Sequence, residues 1–154
     1  MKETARIADQ SERAYSGKAW HGPSVRVLLK GITAAQAAQR PIPDAHSIWE
    51  LVLHIAAWDR VVAERIQGGK TTELPPEENF PSVVDVSDTA WKKVLKELDR
   101  QHKALIAAIR KFPDSKLNRN LGGGDYSYYI TMHGAVQHDL YHAGQIAILK
   151  KLMK

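Results

Sequence analysis

Apolar residues recur at helical spacing in several long stretches of this chain. From Ser47 onward, Ile48, Leu51, Ile55, Trp58 and Val62 share one face, which predicts a helix reaching about Gln67 and stopped by Gly68-Gly69. The order Ser47-Ile48-Trp49-Glu50 reads as a capping box at its start. A second amphipathic stretch carries Trp91, Val94, Leu95, Leu98, Leu105 and Ile109, with Ser87 placed to cap it, Asp88 in its first turn and Phe112-Pro113 at its end. A third runs from about Tyr128 to Leu152 through Met132, Ala135, His138, His142, Ile146 and Leu149, behind the stop Gly122-Gly123-Gly124-Asp125 and the cap Ser127. Residues 3 to 16, with Ile7, Ala8, Ala14 and Tyr15, form a more polar helix that Gly17 and Gly22-Pro23 interrupt.

Shorter pieces fill the gaps. Val25, Val27, Leu28 and Leu29 make a brief helix ending at Gly31, and Thr33-Ala34-Ala35-Gln36 is a capping box for another turn. Arg40-Pro41-Ile42-Pro43 is a rigid connector. Residues 70 to about 86, with Pro75, Pro76 and Pro81, lack periodicity and read as a long loop. No stretch reads clearly as a strand hairpin. The expectation is an all-α protein, a four-helix bundle with a long central connection, in one domain spanning 1–154.

Composition narrows the chemistry. Of 154 residues, 44% are hydrophobic and 25% charged, as in a folded globular chain. Cysteine is absent, so disulfides, thiolate metal clusters and cysteine nucleophiles are excluded, and a metal would need His, Asp, Glu or water. The first residues are polar and no apolar run nears the roughly 18–20 residues of a membrane span, so the expected location is the cytoplasm. A formal charge of +5 raises nucleic acid as a partner, but the cations are spread among acids along several helices. The tight group Lys150, Lys151 and Lys154 closes the last helix, where cations complement its dipole. Nucleic-acid binding is therefore not expected.

The seven histidines change the picture most. His138 and His142 lie four apart, roughly 40° around a helix axis, so their rings stand one above the other. His54 lies between Leu51 and Ile55 and points inward with them. Buried imidazole needs partners, and one ion could satisfy three rings while keeping an open coordination position. Spacing alone leaves ordinary core histidines as an equal alternative. The zincin motif is missing, since Asp139 stands where His-Glu-x-x-His has glutamate.

His46 reads as a solvated turn residue or a partner of the helix start, His21 as a loop residue, and His102 as a solvated residue on a charged face. His133 is turned off the ligand face. Candidates to orient the imidazoles are Asp139, Gln145 and Asp59, with a surface ion pair the favoured reading for Asp59. Tyr141 either aims its hydroxyl at a pocket or packs between helices. Trp58 walls the site or packs in the core, and Gly144 allows a close helix contact. Trp49, rotated off the His54 face, is assigned to a subunit contact.

The segments His46–Arg60 (HSIWELVLHIAAWDR) and Gln137–Lys150 (QHDLYHAGQIAILK) resemble the DinB-like, YfiT-related, damage-inducible family of metal-binding helical bundles. The order His138-x-x-x-His142-x-Gly144-Gln145-Ile146 carries the likeness most specifically, and Trp20-His21-Gly22-Pro23 and Arg40-Pro41-Ile42-Pro43 extend it over nearly the whole chain. The resemblance implies an antiparallel bundle of up-down-down-up topology and a homodimer. It also implies a divalent metal, zinc or nickel, on one histidine of the second main helix and two of the last, which fall at His54, His138 and His142.

Some members of the family use a metal-bound low-molecular-weight thiol, as in bacillithiol S-transferases and mycothiol-dependent maleylpyruvate isomerase. The first functional expectation is accordingly a metal-dependent thiol S-transferase acting on a small-molecule substrate. The alternatives are a metal-dependent hydrolase, with Asp139, Glu77 or Glu78 taking the proton from water, and a non-enzymatic, stress-induced metal-binding protein.

Overall fold

Four side-chain hydroxyls open four helices where the sequence places them. Thr33, Ser47, Ser87 and Ser127 accept from the backbone N–H of Gln36, Glu50, Ala90 and Ile130 respectively. Thr33 and Ser47 complete reciprocal capping boxes, with the Gln36 and Glu50 side chains reaching back to the cap N–H. The computed structural model describes residues 1–69, 73–122 and 124–153. The first residues of the predicted loop (70–72), Gly123 of the glycine run and Lys154 of the terminal basic group lie outside it.

The helices are α1 (Glu3–Tyr15), α2 (Val25–Leu29), α3 (Ala34–Ala38), α4 (Ile48–Ile66), α5 (Pro76–Asn79), α6 (Asp88–Lys111) and α7 (Tyr128–Leu152), with a 3₁₀ turn at Asp114–Lys116. The fold is all-α, and α1, α4, α6 and α7 form the bundle. One difference from expectation is α5, a single turn inside the proline-rich loop. Pro76 starts it with a pre-set φ, and the Phe80 N–H closes on the Pro76 carbonyl.

Side-chain pairs fix the helix directions. Glu3 and Thr4 at the start of α1 donate to the Asp114 carboxylate just beyond α6, and the Tyr15 hydroxyl at its end donates to Asp99, so α1 and α6 are antiparallel. Trp49 meets Trp91, and ten residues on Asp59 meets His102, so α4 and α6 are parallel. His54 of α4 meets both His138 and His142, while Trp58, further along α4, meets His138, so α4 and α7 are antiparallel. The result is up-down-down-up. A parallel pair cannot be joined by a tight turn, which accounts for the long connection between α4 and α6.

The apolar interior falls into two clusters. One gathers Ile48, Leu51, Ile55, Trp91, Leu98 and Ile146, and the other Ile7, Val62, Ile66, Leu105, Ile109 and Met132. Between them α1, α4, α6 and α7 each place polar side chains inside, including Ser11, His54, Asp59, Gln101, His102, Asp139 and His142. On α7 the inward stripe includes Asp139 and Ala143 as well as His142, while His138 is only half-buried. No described helix is long and apolar enough to cross a membrane.

Trp49 is a correction. It is 2% exposed, with its ring 5.0 Å from that of Trp91, whose indole N–H donates to the Ile32 carbonyl at 3.0 Å. It belongs to the core and not to a subunit contact. Trp49→Ala is expected to cost about 3–5 kcal/mol in urea denaturation without changing the oligomeric state. A change of association with stability intact would return Trp49 to an interface.

Candidate metal centre

The capping box at Ser47 sets the register of α4, and that register turns His54 inward beside Ile55. From α7, His138 and His142 present their rings one turn apart with centroids 4.4 Å apart. The Nε2 of His138 is 2.9 Å from that of His54 and 3.1 Å from that of His142. Three imidazole nitrogens from two antiparallel helices thus meet at one point.

The outer nitrogens decide what the inner ones can do. His54 Nδ1–H donates to the Asn79 backbone carbonyl at 2.8 Å. A carbonyl only accepts, so the proton is on Nδ1 and Nε2 presents a bare lone pair. His142 Nδ1–H donates to Gln145 Oε1 at 2.6 Å, which fixes the same tautomer. One proton on His138 Nε2 can serve only one of these two lone pairs. A divalent cation could serve all three nitrogens, since tetrahedral coordination at about 2.0–2.1 Å separates donors by roughly 3.3 Å. The residues fit such an ion with a shift of a few tenths of an ångström.

Electrostatics agree. Burial, with His142 and His54 alongside, pushes His138 down to about 3. Burial also lowers His54 and His142. All three are neutral at pH 7, the form that coordinates a metal. The Phe80 ring lies between two imidazoles, 4.1 Å from His54 and 3.6 Å from His46. Trp58 walls a third side, 6.0 Å from His138, and its indole N–H donates to Asn79 Oδ1 at 2.9 Å. A cavity of about 350 Å³ between α4 and α7 has Trp58, Asp59, Ile130, Ala135 and His138 in its walls. That volume suits a small organic molecule.

Several expectations are corrected. Gln145 does orient a ring, but Asp139 and Asp59 make no hydrogen bond to the three imidazoles. Asp59 is buried and lies 3.1 Å from His102 Nδ1, so it is not a surface ion pair. His102 is itself buried, stacked at 3.8 Å on Tyr15, and is not solvated. Tyr141 stands 66% exposed with its ring edge at His142, so it does not pack between helices. Gly144 faces outward, and a Cβ there would meet nothing within 4 Å, so it serves no close contact within the chain. His46 stacks on Phe80 and is not a freely solvated turn residue. His21 lines a separate surface cavity with Trp20 and Leu140, and His133 packs on Tyr129. Glu78 is exposed and paired with Arg60 at 3.0 Å.

Sequence reasoning missed Asn79, whose backbone carbonyl and side chain hold His54 and Trp58. A carbonyl leaves no mark in a sequence. It also missed His102 as a core residue, although the run Leu98, His102, Leu105, Ile109 has the helical spacing that marked His54.

The model of the DinB superfamily matches residues 20–146 of this chain. The fold is similar to the crystal structure of the conserved protein of locus from Enterococcus faecalis, at 16% identity and a TM-score of 0.75, covering 99% of this chain and 98% of that one. That likeness shows the fold alone. No curated protein matches the sequence.

The buried polar groups make stability depend on pH in both directions. His54, His138, His142 and His102 are held below their unfolded values, near 6.5, so the unfolded chain gains more protons and stability falls as pH drops below that. Burial raises Asp59 to about 8, and burial with Asp59 alongside also raises Asp139, so their contribution is present at low pH and is lost as pH rises, that of Asp59 through about 8. Just below pH 6.5 the four histidines outweigh the two acids, and above it the acids dominate. The urea midpoint of metal-free protein is therefore expected to peak near pH 6.5, with Asp59→Asn flattening the alkaline arm. A midpoint rising steadily to pH 8 would contradict this.

Proposed function

This chain belongs to the DinB superfamily, and on that basis we propose that His54, His138 and His142 hold a divalent ion, zinc or nickel, in a metal-dependent thiol S-transferase. Residues 1–154 form a single domain of this kind in the proposal. The observation that carries it is the convergence of three neutral imidazole nitrogens, two of them with tautomers fixed by carbonyl partners. When bound, the ion supplies a Lewis acid that lowers the pKa of a low-molecular-weight thiol toward neutrality.

The chain's own residues do the remaining work. Asn79 and Gln145 hold the His54 and His142 rings in position, Phe80 covers the face of His54, and Trp58 stands beside His54 and His138. The adjoining cavity receives the electrophilic small molecule. The thiol sulfur bonds to its electrophilic carbon, the leaving group departs with its electron pair, and the thiol proton passes to solvent. The absence of cysteine agrees with a nucleophile brought by the substrate. Such thiols are kept reduced in the cytoplasm, the compartment this reading requires.

Hydrolysis has less support. A water nucleophile needs a base, and the carboxyl in the wall of the adjoining cavity, Asp59, is raised to about 8 by burial and keeps its proton at neutral pH. Asp139 is sealed in the core, and Glu78 is engaged with Arg60.

A cobalt(II)-loaded sample tests the reading. Its visible bands are expected to shift on adding a cellular thiol and to vanish in His54→Ala and His138→Ala, and thiol-dependent conjugation of an electrophile should follow the bands. Bands that persist in both variants would refute the ligand set. Bands indifferent to every thiol, with no conjugation, would leave a metal-binding protein of the hydrolytic or non-enzymatic kind.

A second copy of the chain is the proposed partner. Ile130, Tyr141, Ile148 and Leu152 are exposed along one face of α7, and Gly144 on the same face leaves room for a close helix. Light scattering is expected to give a dimer mass that Tyr141→Asp/Ile148→Asp halves. A monomeric native protein would remove the homodimer.

A further inference from the structure

A second set of donors sits in the polar layer and takes no part in the proposed reaction. Asp59 on α4, His102 on α6 and Asp139 on α7 converge there, with side chains 2%, 4% and 0% exposed. One ligating atom from each lies within 4.8 Å of the others. His102 Nδ1 is 3.1 Å from Asp59 Oδ2 and 3.8 Å from Asp139 Oδ2. Both Asp139 oxygens and His102 Nε2 have no hydrogen-bond partner among the described residues.

Two neighbouring carboxylates in a dry interior repel each other, and each is costly to bury as an anion. Protons alone solve this poorly. A neutral Asp139 would carry an O–H with no acceptor in reach, which is itself a cost in the core. Apolar side chains of similar volume would pack there at no such cost. A divalent cation removes the difficulty in one step, because two carboxylates, one neutral imidazole and a 2+ ion sum to zero charge. It would also occupy the free lone pairs of Asp139.

We propose that Asp59, His102 and Asp139 form a second divalent-cation site, separate from the three histidines, with the donor set of manganese(II), iron(II) or zinc(II). Two oxygens and one imidazole nitrogen suit these borderline ions. Copper(I) prefers sulfur, and calcium needs more oxygens than three side chains offer. The His102 ring is held for this role by its stack on Tyr15, whose hydroxyl donates to Asp99 at 2.5 Å, with Asp99 paired to Arg26. Asp59 and His138, one member of each donor set, lie in the wall of the same cavity.

The full chain, stripped of metal and titrated with zinc(II) and separately with manganese(II), tests this by equilibrium dialysis with elemental analysis. Circular dichroism reports folding. The native protein is expected to bind two equivalents of zinc. Asp59→Asn/Asp139→Asn, close in shape to the native pair, should bind one, and His54→Ala/His138→Ala/His142→Ala should keep the other. If the native protein binds one equivalent and the Asn variant loses it, the second site stands and the three-histidine reading falls. A single equivalent that the Asn variant retains, or an Asn variant binding as much as the native protein, overturns the second site. The Asn comparison decides the matter even if the triple-alanine chain does not fold.

Discussion

A layer of buried ionisable side chains crosses the middle of this bundle, and the rest of the structure is arranged around satisfying it. Imidazole and carboxylate groups cost free energy wherever water cannot reach them, unless they find partners. The apolar residues therefore collect in two clusters, one toward each end, and the polar groups meet between them. The ionisable members come from α4, α6 and α7, and α1 adds the buried hydroxyl of Ser11. The layer's position along α4, α6 and α7 follows from the caps, because Ser47, Ser87 and Ser127 set where the turns begin and hence which residues point inward.

Within the layer the helices sort the chemistry. The antiparallel pair α4 and α7 brings His54 to His138 and His142 and makes a purely nitrogen donor set. The parallel pair α4 and α6 brings Asp59 to His102, and Asp139 completes a mixed oxygen and nitrogen set. The two sets share α4 and α7 but differ in how their members are held. The first has carbonyl partners on the outer nitrogens of His54 and His142 and a cavity of about 350 Å³ beside it. The second is enclosed, and Asp59 is its member in the wall of that cavity.

Much of this was legible in the sequence where periodicity and side-chain chemistry coincide. The four long helices, the caps of three of them and the inward turn of His54, His138 and His142 follow from spacing, because a helix converts sequence distance directly into angle, while the choice of those three as a set came from the family resemblance. The up-down-down-up order came from the family resemblance, and the side-chain pairs bear it out. Other residues were hidden for identifiable reasons. Asn79 acts largely through a backbone carbonyl, in a proline-rich stretch with no period to read. His102 is flanked by Arg100, Gln101 and Lys103, and these charged and polar neighbours concealed its place on the Leu98–Ile109 stripe. Asp139 looked like a polar neighbour of ligands, yet one step along a helix turns a side chain by roughly 100°, enough to send it into a different part of the core. Trp49 was misassigned because α4 is covered on more than one side, so the face away from His54 is also interior.

The parallel run of α4 and α6 has a further effect on the chain that joins them. Their like ends lie side by side, so the joining strap must travel back along the bundle for roughly the length of a nineteen-residue helix, about 28 Å. A strap on that route passes the flank of α4 and not its tip. Phe80 and Asn79 are the residues by which it meets His54 and His46. Shortening the strap would drag those anchors out of register, whereas extra residues could bulge outward harmlessly. The connector therefore has a minimum length set by geometry, and the furnishing of the pocket depends on that minimum being met.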